Sequence, residues 1–186
     1  LTYLYCTGVR VLTGLEQFTQ LVDINIFNGQ ISDLNPIASL HKLTKLGLAD
    51  NRIESLDVLT KLAKLESLDV SENQISNLTP LRDLRALTAA NLNDNLITDI
   101  SSLSELHELN WLVLSDNQIQ DLSPLSTLEN VDQLFLSGNS ISDLSPLGNM
   151  TWVYWLDLSR NMVSDLAPLS GLDGLIRLNL QENSIV

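Results

Sequence analysis

Cysteine is nearly missing from this chain. Cys6 is the only one, so no internal disulfide can form and the redox compartment is unreadable. Histidine is almost as scarce: only His41 and His107 occur. Three repeats of chain separate them, roughly 15 Å at the strand spacing, which is too far for one metal ion. Basic residues number 10 against 23 acidic ones, a formal net charge of −13. That balance argues against nucleic acid, whose phosphates want Lys and Arg, and against anionic membrane surfaces. No apolar run approaches the ~20 residues that a membrane helix needs, so membrane insertion is excluded. No G-x-S-x-G, H-E-x-x-H or P-loop pattern is present, and carboxylates recur in surface columns rather than in isolated pairs. No catalytic residue, metal site or cofactor is expected.

What the chain has in abundance is leucine, at a fixed period. Asn51, Asn73, Asn95, Asn117, Asn139, Asn161 and Asn183 follow one another at intervals of 22 residues. Counting backwards puts Gly29 and Thr7 in the same column, with no insertion or deletion anywhere. The unit reads L-x-x-L-x-L-x-x-N-x-I-x-x-L-x-x-L-x-x-L-x-x, as in Leu65, Leu68, Val70, Asn73, Ile75, Leu78, Leu81 and Leu84. Eight full units fill 1–176 and a ninth begins at Arg177, so 1–186 is expected to be one repeat domain. No terminal cap with a polar outer face is recognisable, and the chain reads as a segment of a longer protein. Cys6 is then either an ordinary half-buried thiol or the partner of a cysteine in a cap.

The L-x-L pair has a period of two, so both leucines point inward and their neighbours outward. No single unit can bury its leucines, but stacked units form one continuous core with strands paired in parallel. All five prolines (Pro36, Pro80, Pro124, Pro146, Pro168) share a column, preceded by Thr13, Asn35, Asp57, Thr79, Ser101, Ser123, Ser145 and Ala167. Seven of these eight are helix N-cap types, and Pro suits the first helical position, so short 3₁₀ or α turns are predicted to start there on the convex side. The seven asparagines are expected to form a structural ladder. Thr7 and Gly29 should leave the first two units less well tied, and Ala90 should thin the core locally.

These residues identify the chain as resembling the leucine-rich repeat. The 22-residue length and the phrase "ISDLSPL" (141–147) resemble the internalin type found in bacteria. The resemblance implies an α/β solenoid: a right-handed horseshoe with a concave parallel β-sheet and 3₁₀ or α turns on the convex side. It also implies a non-catalytic module that holds a protein on the concave face, within a bacterial surface or secreted protein active in adhesion. It transfers the face, not a partner.

The register identifies which side chains line that face. They lie six, four and two positions before each column Asn. The first column begins at Leu1 and continues through Asp23 and Lys45 to Trp111, Gln133, Trp155 and Arg177. The second runs from Tyr3 through Asn25 to Val113, Phe135, Asp157 and Asn179, and the third from Tyr5 and Phe27 to Ser159 and Gln181. The middle is small and polar. Trp111, Val113, Phe135 and Trp155 form an apolar group, with Arg177 within cation–π reach of Trp155. Asp116, Asp157, Arg160 and Arg177 would form its rim, and Tyr154 should lie at the sheet edge beside Ile176. Exposed aromatics of this kind often anchor an interface. Tyr3, Tyr5 and Phe27 form a second group, which either binds or packs under a cap. Lys42, Lys45, Lys61 and Lys64 make the middle units less acidic, either as a solvated face or as a contact for an acidic partner.

A monomer that recognises a protein is therefore expected, outside the cell or on its surface. Three other readings stay open: a cytoplasmic scaffold or regulatory subunit, a carbohydrate-binding surface using the exposed rings, and a targeting domain for an enzyme elsewhere in the chain.

Overall fold

The computed structural model describes residues 1–185; Val186, the last residue of the ninth unit, lies outside the described residues. Among the described residues nine strands form one parallel sheet in strict chain order. They are β1 (Tyr3–Thr7), β2 (Asp23–Phe27), β3 (Lys45–Gly47), β4 (Ser67–Asp69), β5 (Ala89–Asn91), β6 (Trp111–Val113), β7 (Gln133–Phe135), β8 (Trp155–Asp157) and β9 (Arg177–Asn179). Each strand returns to the next through a turn, a short 3₁₀ helix and a second turn, giving an open solenoid. The inward leucines and isoleucines merge into a single core running the length of the stack. Ala90 takes the inward position between Leu68 and Leu112 and is buried with them.

The strands are held in step by the asparagines. In each unit the Asn side chain donates to three carbonyls and accepts from one backbone N–H. Asn95, for example, donates to Val70, Leu92 and Asn93 and accepts from Ile75. The remaining six repeat this set, from Asn51 through Asn73, Asn117, Asn139 and Asn161 to Asn183. These turns leave backbone groups inside the solenoid where neither water nor a strand partner reaches them. The amide satisfies them with one side chain.

Just before Gly29 and each column Asn the chain passes through a left-handed residue: Asn28, Asp50, Glu72, Asp94, Asp116, Gly138, Arg160 and Glu182, with φ between 51° and 67°. Gly8, with φ 68°, does the same in the first unit, but 20 residues before Asn28 rather than 22. The β1–β2 pairing has the same offset: Tyr3 lies beside Asp23, Tyr5 beside Asn25 and Thr7 beside Phe27. Beyond the turn the 22-residue spacing returns. The Gln30 N–H donates to Val9 as the Arg52 N–H donates to Ile31. The first unit therefore lacks two turn residues, which corrects the uninterrupted period. Thr7 is not in the Asn column, and Leu1 does not head the first concave column, which starts at Tyr3. Because the shift is even, every side chain in β1 keeps its face. The shortened turn also accounts for Gly29: a Cβ there would run into the Val9 carbonyl and the Asn51 side chain.

Among the described residues, all eight helical segments are 3₁₀ and none is α. From Asn35 onward the residues of the column before proline are the first helical residues, not the caps, whereas Thr13 precedes a helix that starts at Leu15; no side chain at the N-cap bonds to the helix. The capping function falls two residues earlier. Asp33, Ser55, Asn77, Asp99, Asp121, Asp143 and Asp165 each accept from the backbone N–H two residues on. These are Asx-type turns, which end on the first helical N–H and leave the following position free for Pro.

At Asp121 and Asp143 the Ser123 and Ser145 hydroxyls, and then their backbone N–H groups, hold the carboxyl below its ordinary value. A depressed folded-state value stabilises above the unfolded carboxylate range, near about pH 4, and that stabilisation is lost as pH falls through the lower folded value. The urea midpoint of an Asp121→Ala/Asp143→Ala variant should therefore lie below that of the parent at neutral pH, with the gap closing only in the acid range. A gap that persists unchanged at acid pH would show that these carboxylates contribute nothing through their charge.

Candidate binding surface on the exposed sheet face

The outward residues of the sheet form three columns. In the C-terminal half, Trp111, Gln133, Trp155 and Arg177 are successive neighbours in the first column, and Val113, Phe135, Asp157 and Asn179 in the second. Their strands are only three residues long, so each side chain is aimed by the leucine beside it, locked in the core. The Phe135 and Trp155 rings meet edge to face, with centroids 4.9 Å apart. The Arg177 guanidinium lies over the Trp155 ring, 4.7 Å from its centre. Trp111, Val113, Phe135 and Trp155 are all partly covered, each shielding its neighbours. The result is a preorganised apolar ridge with a cation fixed at one end.

A polar frame surrounds the ridge. Asp157 accepts from the backbone N–H and hydroxyl of Ser159 and from the Asn179 amide. The Ser159 and Ser137 hydroxyls are hydrogen-bonded to each other, 2.8 Å apart. Arg160 reaches back across two units to Asp116, 2.7 Å away, and also touches the Ser137 hydroxyl. That reach needs Gly138, whose φ is 67°. A Cβ there would strike the Asp116 carboxylate and the Arg160 guanidinium. Gly138 is the only glycine in the left-handed column from Asn28 onward, and Arg160 the only cation. Together they make a strap along the ridge's flank.

Tyr154 lies on the edge where strands enter the sheet. Its carbonyl accepts from the Ile176 and Arg177 N–H groups, and its ring shares a shallow groove with Trp152, Asn130 and Asp132. It is therefore beside the ridge rather than on it. At the other end, Tyr3, Tyr5 and Phe27 are far more exposed, at 60%, 61% and 44%. The Tyr5 hydroxyl donates to Asp23 at 2.7 Å, and this bond, with slight desolvation and the carboxylate charge, raises the phenol above its ordinary value. Cys6 is a half-buried free thiol packed against the core. His41 and His107 each place Nδ1 near a carbonyl of the next unit, Lys61 and Thr127 respectively.

One feature of the face escaped the sequence columns. A depression beside the ridge is lined by Trp111, Val113 and Phe135 together with Ser71, Glu72, Asn91, Asn93 and Ser115. Small polar residues at Ser71, Asn91, Asn93 and Ser115 leave room for it, and Ala89 lies just outside its lining. It is the strand neighbour of Trp111, and it offers only a methyl group beside the indole.

Stacked parallel strands, 3₁₀ turns and an asparagine ladder at a 22-residue period define a leucine-rich-repeat protein. A model of that repeat, taken two copies at a time, matches residues 41–83 and 107–149. An internalin (inlF) of Listeria monocytogenes has the same fold, with a TM-score of 0.93 and 32% identity over 96% of this chain. Internalin C2 of the same species gives 0.91 and 34% identity over 93% of the chain. The chain belongs to the internalin family. It spans 54% of the inlF chain and 76% of the internalin C2 chain. Comparison with curated protein sequences returns no match.

Proposed function

We propose that this domain is a non-catalytic protein-binding module that grips its partner with the C-terminal half of the exposed sheet face. It would do so as part of a bacterial surface or secreted protein. The observation that carries this is the packing of Trp155 between Phe135 and Arg177. The fold rests on the inward leucines and the asparagine ladder, and a ridge of aromatic and guanidinium groups, already ordered by one another, is not required for stacking. Such side chains, held rigid before contact, are the usual centre of an interface. Trp111, Val113, Phe135 and Trp155 supply the anchors, and Asp157, Arg160 and Arg177 the rim, with Tyr154 at its border. Tyr3, Tyr5 and Phe27 form a second contact region nearer the N-terminus. Family membership supports an extracellular protein partner. The occupied Trp155 face disfavours sugar stacking there, because a sugar would have to displace Arg177.

The test compares the parent with Trp155→Ala in capture of proteins from extracellular and cell-surface extracts, identified by mass spectrometry. A specific partner should be retained by the parent and lose about 2 kcal/mol or more of affinity with the variant. Both proteins should unfold at the same urea concentration within experimental spread. If the variant binds as tightly as the parent, the ridge is not the binding surface. If it unfolds early, the ring is structural.

A further inference from the structure

We infer that the depression beside the aromatic ridge is a subsite for an arginine side chain of the protein partner. This inference rests on the sheet-face reading above and names the chemistry of one contact within it. Three kinds of group converge there. Trp111 lines the hollow with its partly covered indole, and its strand neighbour on β5 is the small Ala89. Asn91 and Asn93 add two amides to the lining. The Asn91 Oδ1 is engaged only by a long bond from the Asn93 N–H, at 3.3 Å, and the Asn93 side-chain amide makes no hydrogen bond among the described residues. Glu72 adds a carboxylate that pairs with no cation among the described residues, where the only ion pairs are Arg85–Glu105 and Arg160–Asp116.

An indole, free amide oxygens and a carboxylate around one hollow match a planar guanidinium better than any other side chain. It stacks on the ring and directs five N–H donors into the plane of the acceptors. A lysine ammonium would use the charge but not the flat geometry. An apolar side chain would leave the amides and carboxylate unpaired. The protein already shows the pairing once: in the same column, Arg177 covers Trp155. Trp111 has Gln133, not arginine, on the following strand, which leaves that place open to a cation from a partner. The acidic balance of the chain, −13, draws a basic segment toward the face.

The experiment is a titration of the isotope-labelled chain followed by NMR, with a blocked Gly-Arg-Gly peptide and its citrulline counterpart, which keeps the shape and loses the charge. The arginine peptide should shift the side-chain amides of Asn91 and Asn93 and the Trp111 indole. The citrulline peptide should bind roughly fivefold or more weakly. Glu72→Gln should weaken the arginine peptide by a similar factor and leave the citrulline peptide unchanged, its spectrum reporting an intact fold. Equal binding of the two peptides overturns the inference. So does an absence of shifts, or shifts confined to the turn carboxylates away from Trp111 and Asn93. If partner binding depends on Trp155 but the peptides fail, the arginine subsite falls and the sheet-face reading stands. If the arginine peptide binds here while partner binding ignores Trp155 and Trp111, the sheet-face reading falls and takes the partner's arginine with it, leaving only a guanidinium-binding hollow.

Discussion

Asn117→Ala is expected to destabilise the domain by about 3–5 kcal/mol, measured as a fall in the urea unfolding free energy. Asn117 is buried. Its amide donates to the carbonyls of Leu92, Leu114 and Ser115 at 3.0–3.1 Å, and its Oδ1 accepts from the Ile97 N–H at 3.0 Å. Two N–H bonds serve three carbonyls, so one is shared. Alanine removes all four contacts at once and strands one donor and three acceptors in the turn. Each stranded group costs about 1–3 kcal/mol, less whatever water can reach, which sets the range. The same change at Asn183, whose amide is partly exposed, should cost roughly half as much, since solvent takes over some of the bonds. Equal, small effects at both sites would mean that the ladder does not hold the turns.

Leu134→Ala should cost about 2–5 kcal/mol, by lost burial and by the cavity left behind. Leu134 is completely buried, between Leu112 and Leu156 on the neighbouring strands. Phe135 follows it in the chain and points to the opposite face, so a hollow under β7 also loosens the ridge. The stability loss should therefore come with weakened partner binding. Leu178→Ala on β9, where the inward leucine is 41% exposed, should cost much less. Matching losses at the two positions would argue against one continuous core.

The inward and outward faces of all nine strands were legible because leucine alternation is a strong, repeated signal. The Trp111–Phe135–Trp155–Arg177 neighbourhood could be placed on adjacent strands for the same reason. The shortened first turn was not legible. Thr7 and Gly29 stand at the expected interval, and neither is an asparagine whose absence from the pattern would reveal the slip. Only Gly8, as a left-handed residue, hinted at it. The capping residues were misplaced because proline drew attention to the position before it. The column two residues earlier, mostly aspartate from Asp33 to Asp165 with Ser55 and Asn77 among them, does the bonding. The Arg160–Asp116 strap joins residues 44 apart across Gly138, and no local pattern predicts a contact that depends on a missing side chain.

The asparagine ladder also has a direction. Each amide reaches back to the unit before it: Asn51 closes Ile26 and Ile31, and Asn73 closes Leu48 and Ile53. No amide reaches forward into the unit after it. As the chain is synthesised from its N-terminus, each coil keeps open carbonyls and N–H groups until the next coil delivers the side chain that seals them. The ladder is thus polar along the stack: each asparagine-bearing unit serves as the lid of its predecessor.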